Sequence, residues 1–474
     1  MDRITIRISR KINILHIVCA LLLLGILSGC ASADKKMAGT ENAPQSISED
    51  HATSEEMAGT ENASQSIPEN RTTGEEIKDS ENAPKSKAWE HPADKETVSD
   101  STSQTEMNFP SLVPESTGDT AANTISDSPR ELTLLMVGDI LLHTPVEESA
   151  LQTDGSYRFD AIFANTRDYI QAADLALVNQ EVILGGAELG ISGYPAFNAP
   201  FEVGDALTDA GFDVICHATN HALDKGRKGI LNCISYWQES HPQITVLGIN
   251  DSEESQSDIY IYKQNDISVA ILNYTYGTNG IPLPEDMPYA VNMLDKERVT
   301  ADIQRAEELA DFTIVCPHWG TEYRLTPDSM QEEWTDIFLE NGVDLVLGTH
   351  PHVIEPIEWV RDEDSGHQML VYYSLGNYVN WTSGTGEGVA NRMVGGMAKI
   401  TLALDEKGDV VIADYGVQAL VCHVEDGVDG VTVYPLSEYS EELEARNAIV
   451  SQDDNFSKDY CIRLCEEVWG ELWK

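Results

Sequence analysis

The sequence predicts an α/β fold with a largely parallel or mixed sheet, and three observations carry that prediction. From Glu131 onward short apolar runs alternate with amphipathic helical stretches, Gly and Asp turns separate them, and the texture differs sharply from the polar segment before it. Strands are expected at 132–138, 174–179, 212–217, 244–248, 267–274, 312–316, 343–348 and 369–375. Helices are expected between them near 158–172, 202–210, 227–239, 295–310 and 329–341. Further strands near 396–404 and 409–419 are expected to complete a second sheet, and the tail suggests helices near 436–449 and 456–471. The last places Ile462, Cys465, Trp469 and Trp473 three or four apart, which is the spacing of a packing face.

The N-terminal quarter does not read as foldable. Arg3, Arg7, Arg10 and Lys11 precede an apolar run from about Ile12 to Leu27, the pattern of an export signal that is short for a bilayer span. The run closes with Leu27-Ser28-Gly29-Cys30, which resembles a bacterial lipobox cleaved before a lipid-modified cysteine; an uncleaved signal anchor is the alternative. In both cases the body of the protein is expected outside the cytoplasm and held at the membrane, through the lipid anchor at Cys30 in the first. Residues 31–130 are acidic and poor in large apolar groups, so they cannot bury enough surface to offset chain entropy. "MAGTENAPQSI" at 37–47 recurs as "MAGTENASQSI" at 57–67, a 20-residue repeat without the apolar positions a stacked solenoid needs, which implies a duplicated flexible tether. The organisation is then a signal peptide over 1–30, a disordered linker over 31–130, a principal domain over 131–380, and strands and helices over 381–474 that complete it.

The formal net charge of -50 over 474 residues excludes simple nucleic-acid binding and disfavours adsorption to anionic lipid. Beyond Cys19 and Cys30, six cysteines are scattered, namely Cys216, Cys233, Cys316, Cys422, Cys461 and Cys465. They suggest buried thiols more than a disulfide framework, and the absence of a Cys-x-x-Cys pair argues against a thiolate zinc site.

Several strands end in residues suited to holding a cation. "LLMVGDILLH" delivers Asp139 and His143, "LALVNQEVI" delivers Asn179 and Glu181, and "FDVICHATNHALDKG" delivers Asn220 and His221. "FTIVCPHWGTEY" delivers His318, and "VLGTHPHVI" delivers His350 and His352. The proline between the last two biases His350 toward extended backbone, in which residues two apart share a face and both rings converge. Buried ionisable groups are costly unless paired or coordinated, so five such strand ends point to a shared metal site. An oxygen and nitrogen donor set suits Mn²⁺, Fe or Zn²⁺, and more ligands than one tetrahedral ion takes suggests two divalent ions about 3.5–4 Å apart, bridged by a carboxylate.

The blocks "VGDILLH", "LVNQEV", "ATNHALDKG", "PHWGTEY", "GTHPHVIEPIE" and "YSLGNYV", in order over about 132–379, resemble the capsule-synthesis CapA family of poly-γ-glutamate capsule proteins, whose domain is similar to the calcineurin-like metallophosphoesterases. The resemblance implies a sandwich of two mixed β-sheets flanked by helices. It implies Asp139 and His352 on one ion, Glu181 bridging, and Asn220, His318 and His350 on the other, with His221 as general acid or hydrogen-bond donor to developing charge. Leu141 fills the position where the wider superfamily has a histidine, so His143 is a possible additional ligand, and Glu181 stands where an aspartate is common. Within the same blocks Asp224 is expected to hold His221 or cap a helix, Trp319 and Tyr323 to wall the site, and Asn377 to order a loop; Asn198, in the long connection after Glu181, is a candidate substrate contact. Lys225 and Arg227 are further candidates for meeting an anionic substrate.

Three functions remain open at this point. One is a membrane-anchored, metal-dependent hydrolase or transferase in synthesis, release or anchoring of poly-γ-glutamate or another anionic capsular polymer. Another is a general extracellular phosphoesterase or nucleotidase acting on phosphoesters. The third is a non-catalytic partner of membrane polymer-synthase proteins.

Overall fold

The structure, a computed structural model, describes residues 130–474. The expected signal with Cys30 and the repeat-bearing tether up to residue 129 lie outside the described residues. No helix among the described residues is long and apolar enough to cross a membrane.

The first half of the fold runs β1 (Glu131–Ile140), α1 (Thr144–Ala150), α2 (Arg167–Gln171), β2 (Leu175–Asn179), α3 (Glu202–Ala210), β3 (Val214–Cys216), α4 (Gly226–Ser240), β4 (Thr245–Leu247) and α5 (Glu253–Ser257). β1 to β4 lie side by side and parallel. They are nearly continuous apolar runs, as strands covered on both faces must be. The chain continues through β5 (Tyr260–Gln264), β6 (Ile267–Thr275), α6 (Lys296–Leu309), β7 (Phe312–His318), α7 (Ser329–Asn341), β8 (Leu345–Leu347), β9 (Ile357–Arg361) and β10 (Gln368–Tyr372). These strands form a second sheet in the order β5-β6-β7-β8-β10-β9, parallel in the middle and antiparallel at both edges.

Side-chain alternation along the second sheet shows how the layers stack. Ile271, Ile314, Leu345 and Leu370, in register across four strands, join the core shared with the first sheet. Their neighbours Leu272, Val315, Val346 and Val371 pack in a separate cluster with Val299 and Ile303 of α6 and Phe338 of α7. Full burial of one such side chain contributes about 1.5–3 kcal/mol, so a strand whose two faces meet a sheet and a helix layer is held from both sides. α7 begins in a capping box, where Asp328 accepts from the Met330 and Gln331 amides, and stops at Gly342, whose φ of 96° favours a residue without Cβ.

The last part comprises β11 (Asn377–Val379), β12 (Val394–Leu404), β13 (Val410–Val424), β14 (Val431–Pro435), α8 (Glu441–Arg446) and α9 (Lys458–Trp469). The segments expected to complete a second sheet extend the first one instead. β12 pairs antiparallel with β1 from Glu131↔Ala403 to Val137↔Met397, β13 adds to β12, and β14 to β13. The physical reason is that β2 covers only one edge of β1, and the long β12–β13 hairpin satisfies the other edge's backbone groups. In α9, Cys461, Leu464, Cys465 and Trp469 are buried, and the Trp469 indole donates to the Glu355 carbonyl at 2.9 Å. The six cysteines of the described chain are free and buried.

Candidate metal centre

Parallel strands present their carboxyl ends on one rim, which is where open α/β sheets place their polar sites. Here two sheets share that rim: Asp139 stands one residue before the end of β1, Glu181 follows β2, and Asn220 and His221 follow β3, while His318 ends β7 and His350 and His352 follow β8 across the sandwich. A shift of register on either side of Asp139 turns this end of β1 toward β11 and its loop. The approach is tight enough that a Cβ on Gly138 would lie 1.9 Å from the Gly376 carbonyl oxygen, so glycine is required there.

The extended backbone expected for His350 and His352 is not what forms. Their φ values are 102° and 59°, so the rings converge through a left-handed turn, with centroids 5.7 Å apart. Such conformations cost a non-glycine residue about 1–3 kcal/mol and persist only where surrounding contacts hold them. One of those contacts is the His350 amide, which donates to Asp139 Oδ2 at 3.3 Å.

The side chains fall into two groups that share Glu181. Asp139, Glu181 and His352 form one, and Glu181, His318 and His350 the other, with donor atoms in each within 4.8 Å of one another. Glu181 Oε1 lies 3.7 Å from His352 Nε2 and 3.8 Å from His318 Nε2, and Asp139 Oδ2 lies 3.3 Å from His352 Nδ1. Asn220 Oδ1 is 2.9 Å from His318 Nε2, which brings it beside the second group. Asn179, noted at a strand end but given no role, donates to Asp139 Oδ1 at 2.8 Å and orients that carboxylate.

The donor set fits divalent cations on its own chemistry. Both carboxylate oxygens of Glu181 and the Nδ1 of His350 are buried without a hydrogen-bond partner, an arrangement that costs several kcal/mol per group unless a cation coordinates them. Burial pushes the Glu181 carboxyl well above its ordinary range, opposed by the charge of His352 and reinforced by Asp139. Burial and the neighbouring imidazoles push His318 and His350 well below theirs, leaving neutral rings with a lone pair to give. Burial also acts to lower His352, but Glu181 and Asp139 outweigh it and hold that ring up at about 9.

His221 lies beside the two groups. Asp224 Oδ2 is 2.7 Å from its Nδ1 and also accepts the Phe197 amide at 2.7 Å, so Asp224 holds the ring and does not cap a helix. Phe197 meets His221 edge-on at 4.5 Å and His143 at 5.1 Å. His143 is the N-cap of α1 and belongs to neither donor group; burial and the charges of His352, His221 and Arg392 lower it to about 4. Asn377 holds His352 from behind, with Oδ1 3.1 Å from its Nδ1 and Nδ2 donating to its carbonyl at 3.1 Å.

Two expected site residues are used elsewhere. Asn198 is fully buried, and its amide donates to the Gly186 and Gly190 carbonyls at 3.0 Å each, bracing the loop rather than meeting a substrate. Trp319 does not wall the site: it donates to the Tyr373 carbonyl at 2.9 Å and packs on Phe338 in the layer beneath α7, because the strand's alternation turns it away from its neighbour His318. Tyr323 does flank the centre, 6.0 Å from the His352 ring, and Tyr276, which sequence reasoning passed over, lies 4.6 Å from His350.

The family model described as "Bacterial capsule synthesis protein PGA_cap" matches residues 133–382. The capsule biosynthesis protein CapA of Bacillus anthracis is 28% identical over 268 residues, which is 53% of this chain and 61% of that protein. The PGA biosynthesis protein CapA of Bacillus subtilis (strain 168) is 31% identical over 180 residues, 37% of this chain and 45% of that one. The chain therefore spans less than two thirds of the length of these curated relatives. Among solved structures, the NAD nucleotidase of Haemophilus influenzae aligns with a TM-score of 0.40 and 12% identity over 71% of this chain and 67% of its own. A 5'-nucleotidase precursor from Thermus thermophilus aligns with a TM-score of 0.38 and 15% identity over 61% and 54%.

Proposed function

Because this chain belongs to the bacterial capsule synthesis family PGA_cap, we propose that it is a metal-dependent hydrolase or transferase acting in synthesis, release or anchoring of poly-γ-glutamate or another anionic capsular polymer. Its place in this reading is the outer face of the membrane, held by lipid at Cys30 and working beside membrane polymer-synthase proteins. The observation that carries the reading is Glu181, shared by both donor groups with two buried oxygens that no protein atom satisfies.

Asp139, Glu181 and His352 would hold one cation, and Glu181, His318, His350 and Asn220 a second. Divalent ions such as Mn²⁺, Fe or Zn²⁺ supply Lewis acidity, activating water and polarising the bond under attack. Around them the chain positions and protonates. Asp224 fixes His221 through Nδ1, which leaves Nε2 as the atom that hands a proton to the departing amine or alcohol. Asn179 and Asn377 fix Asp139 and His352 in the orientations that face Glu181. Phe197, packed edge-on against His143 and His221, keeps this side of the centre apolar.

A second reading, a non-catalytic partner of a synthase, is favoured by the buried Leu141 in the first block and by His143 standing outside both donor groups. The test combines metal analysis of the purified full chain, turnover of a γ-glutamyl oligomer and of a chromogenic phosphodiester, and capsule formation in cells carrying His221→Ala or Asp139→Ala. The proposal expects about two metal equivalents, γ-glutamyl turnover lost in His221→Ala with metal retained, and loss of capsule in both variants. Turnover of the phosphodiester alone would assign a general phosphoesterase instead. Intact capsule in both variants, with none when the domain is deleted, would leave the non-catalytic reading.

A further inference from the structure

An acidic protein acting on an acidic polymer needs a cation where the polymer meets the centre, since the long-range field of a chain with formal net charge -50 repels it. The two basic residues that sequence reasoning nominates are engaged. Lys225 Nζ donates to Ser192 Oγ at 2.9 Å and to the Ala196 carbonyl at 3.1 Å, and Arg227 pairs with Asp286 at 3.3 Å.

Arg392 is in a different state. Its guanidinium carbon sits 3.8 Å from the centroid of the Tyr323 ring, and that ring is 6.0 Å from His352. The Tyr323 amide donates to the Pro351 carbonyl at 2.7 Å, so the stacking partner is tied to the turn that carries both histidines. Arg392's own carbonyl accepts from Asn377 Nδ2 at 3.0 Å, and Asn377 is the residue that holds His352. The segment leading to Arg392 is pinned as well, because Asp453 accepts the Gly388 and Ala390 amides at 3.0 Å each. Side chain and backbone are thus both fixed to the metal centre. Yet Arg392 Nε is buried with no acceptor, and among the described residues no carboxylate pairs with this guanidinium, whereas Arg298, also half-buried, has Asp302 at 2.7 Å.

We infer that Arg392 is the specificity residue that binds a carboxylate of the polymer beside the bond to be broken, an inference that rests on the polymer reading above. In a γ-linked glutamate chain the carbon attached to each amide nitrogen bears a free carboxylate, so an amide placed at the centre brings an anion within one residue of the reacting atoms. A guanidinium seated over an aromatic face is held in place there, and its fork of donors is the geometry that takes both oxygens of a carboxylate at once. Lysine at the same position has the charge without the fork.

The experiment is calorimetric titration of the Mn²⁺-loaded full chain with a tetra-γ-glutamate and, separately, with inorganic phosphate, for wild type, Arg392→Gln and Arg392→Lys. Metal content and thermal unfolding of each variant are measured alongside. The expected result is a tetra-γ-glutamate affinity lowered about tenfold or more in Arg392→Gln and only partly restored in Arg392→Lys, with metal content, unfolding temperature and phosphate affinity as in wild type. Equal tetra-γ-glutamate affinity in wild type and Arg392→Gln overturns the inference and leaves the polymer reading standing. An equal loss of phosphate affinity overturns the carboxylate assignment in favour of a general anion subsite. A metal-loaded wild type that binds no tetra-γ-glutamate overturns both.

Discussion

Replacing Glu181 by glutamine preserves the size of the side chain and removes the charge on which the two donor groups converge. No protein hydrogen bond is lost with it, because both carboxylate oxygens are buried and unpartnered, so the metal-free variant is expected to be folded. The loss appears when metal is added. A cation present at a hundred times its Kd stabilises the folded state by about 2.7 kcal/mol, roughly 4 °C in Tm for a fold of this size. Residues that only support a ligand change metal affinity by about 10- to 100-fold, and a shared direct ligand belongs at the upper end or beyond. A hundredfold loss brings the same metal concentration down to Kd, where the gain is about 0.4 kcal/mol and the shift about 0.6 °C. Differential scanning fluorimetry of Glu181→Gln and wild type, with and without Mn²⁺ or Zn²⁺, measures both numbers. A metal-induced shift in Glu181→Gln equal to that of wild type would refute the shared-carboxylate reasoning.

Other outcomes follow from the same geometry. Asp139→Asn removes a carboxylate from one donor group only, so bound metal measured by plasma emission should fall from about two equivalents to about one; two equivalents retained would place the ions elsewhere. Trp319→Ala should cost about 3–5 kcal/mol in urea unfolding while metal content stays unchanged, since that indole is a core residue; a loss of metal with little loss of stability would reverse the assignment. Burial holds the Glu355 carboxyl up at about 8, against an ordinary value of 4.5, with the Gln331 amide and the Arg324 charge opposing it and Asp328 adding to it. Between those values the unfolded chain has released a proton that the folded one keeps, so stability falls as pH rises, by at most about 1.4 kcal/mol per pH unit for this group. Glu355→Gln should flatten the dependence of unfolding free energy between pH 5.5 and 7.5, and an unchanged slope would show that this carboxyl does not titrate there.

Much of the fold was legible because periodicity is a local property. All eight strands expected up to residue 375 form, and helices appear at each expected place, since an apolar run of strand length or an i, i+3, i+4 stripe records which faces a segment buries. The strand-end residues were legible for a related reason: a buried Asp, Glu or His at the end of an apolar strand has no cheap packing explanation, and Asp139, Glu181, Asn220, His221, His318, His350 and His352 do converge. Orientation within a short block was not legible. His318 and Trp319 are adjacent, yet one faces the centre and the other the layer beneath α7, and Asn198, by its loop position a candidate substrate contact, uses its amide to brace Gly186 and Gly190.

What the sequence by itself determined is therefore the set of elements and the kind of chemistry at their ends, because burial pattern and residue type are written along the chain. Tertiary structure alone decided which edge the β12–β13 hairpin covers, the left-handed turn that aims His350 and His352, and the placing of Arg392 on Tyr323. Each of these depends on contacts between residues tens to hundreds of positions apart, and pairings at that separation are fixed by competition among backbone edges and side-chain volumes in space, which leaves no period or spacing in the sequence to read.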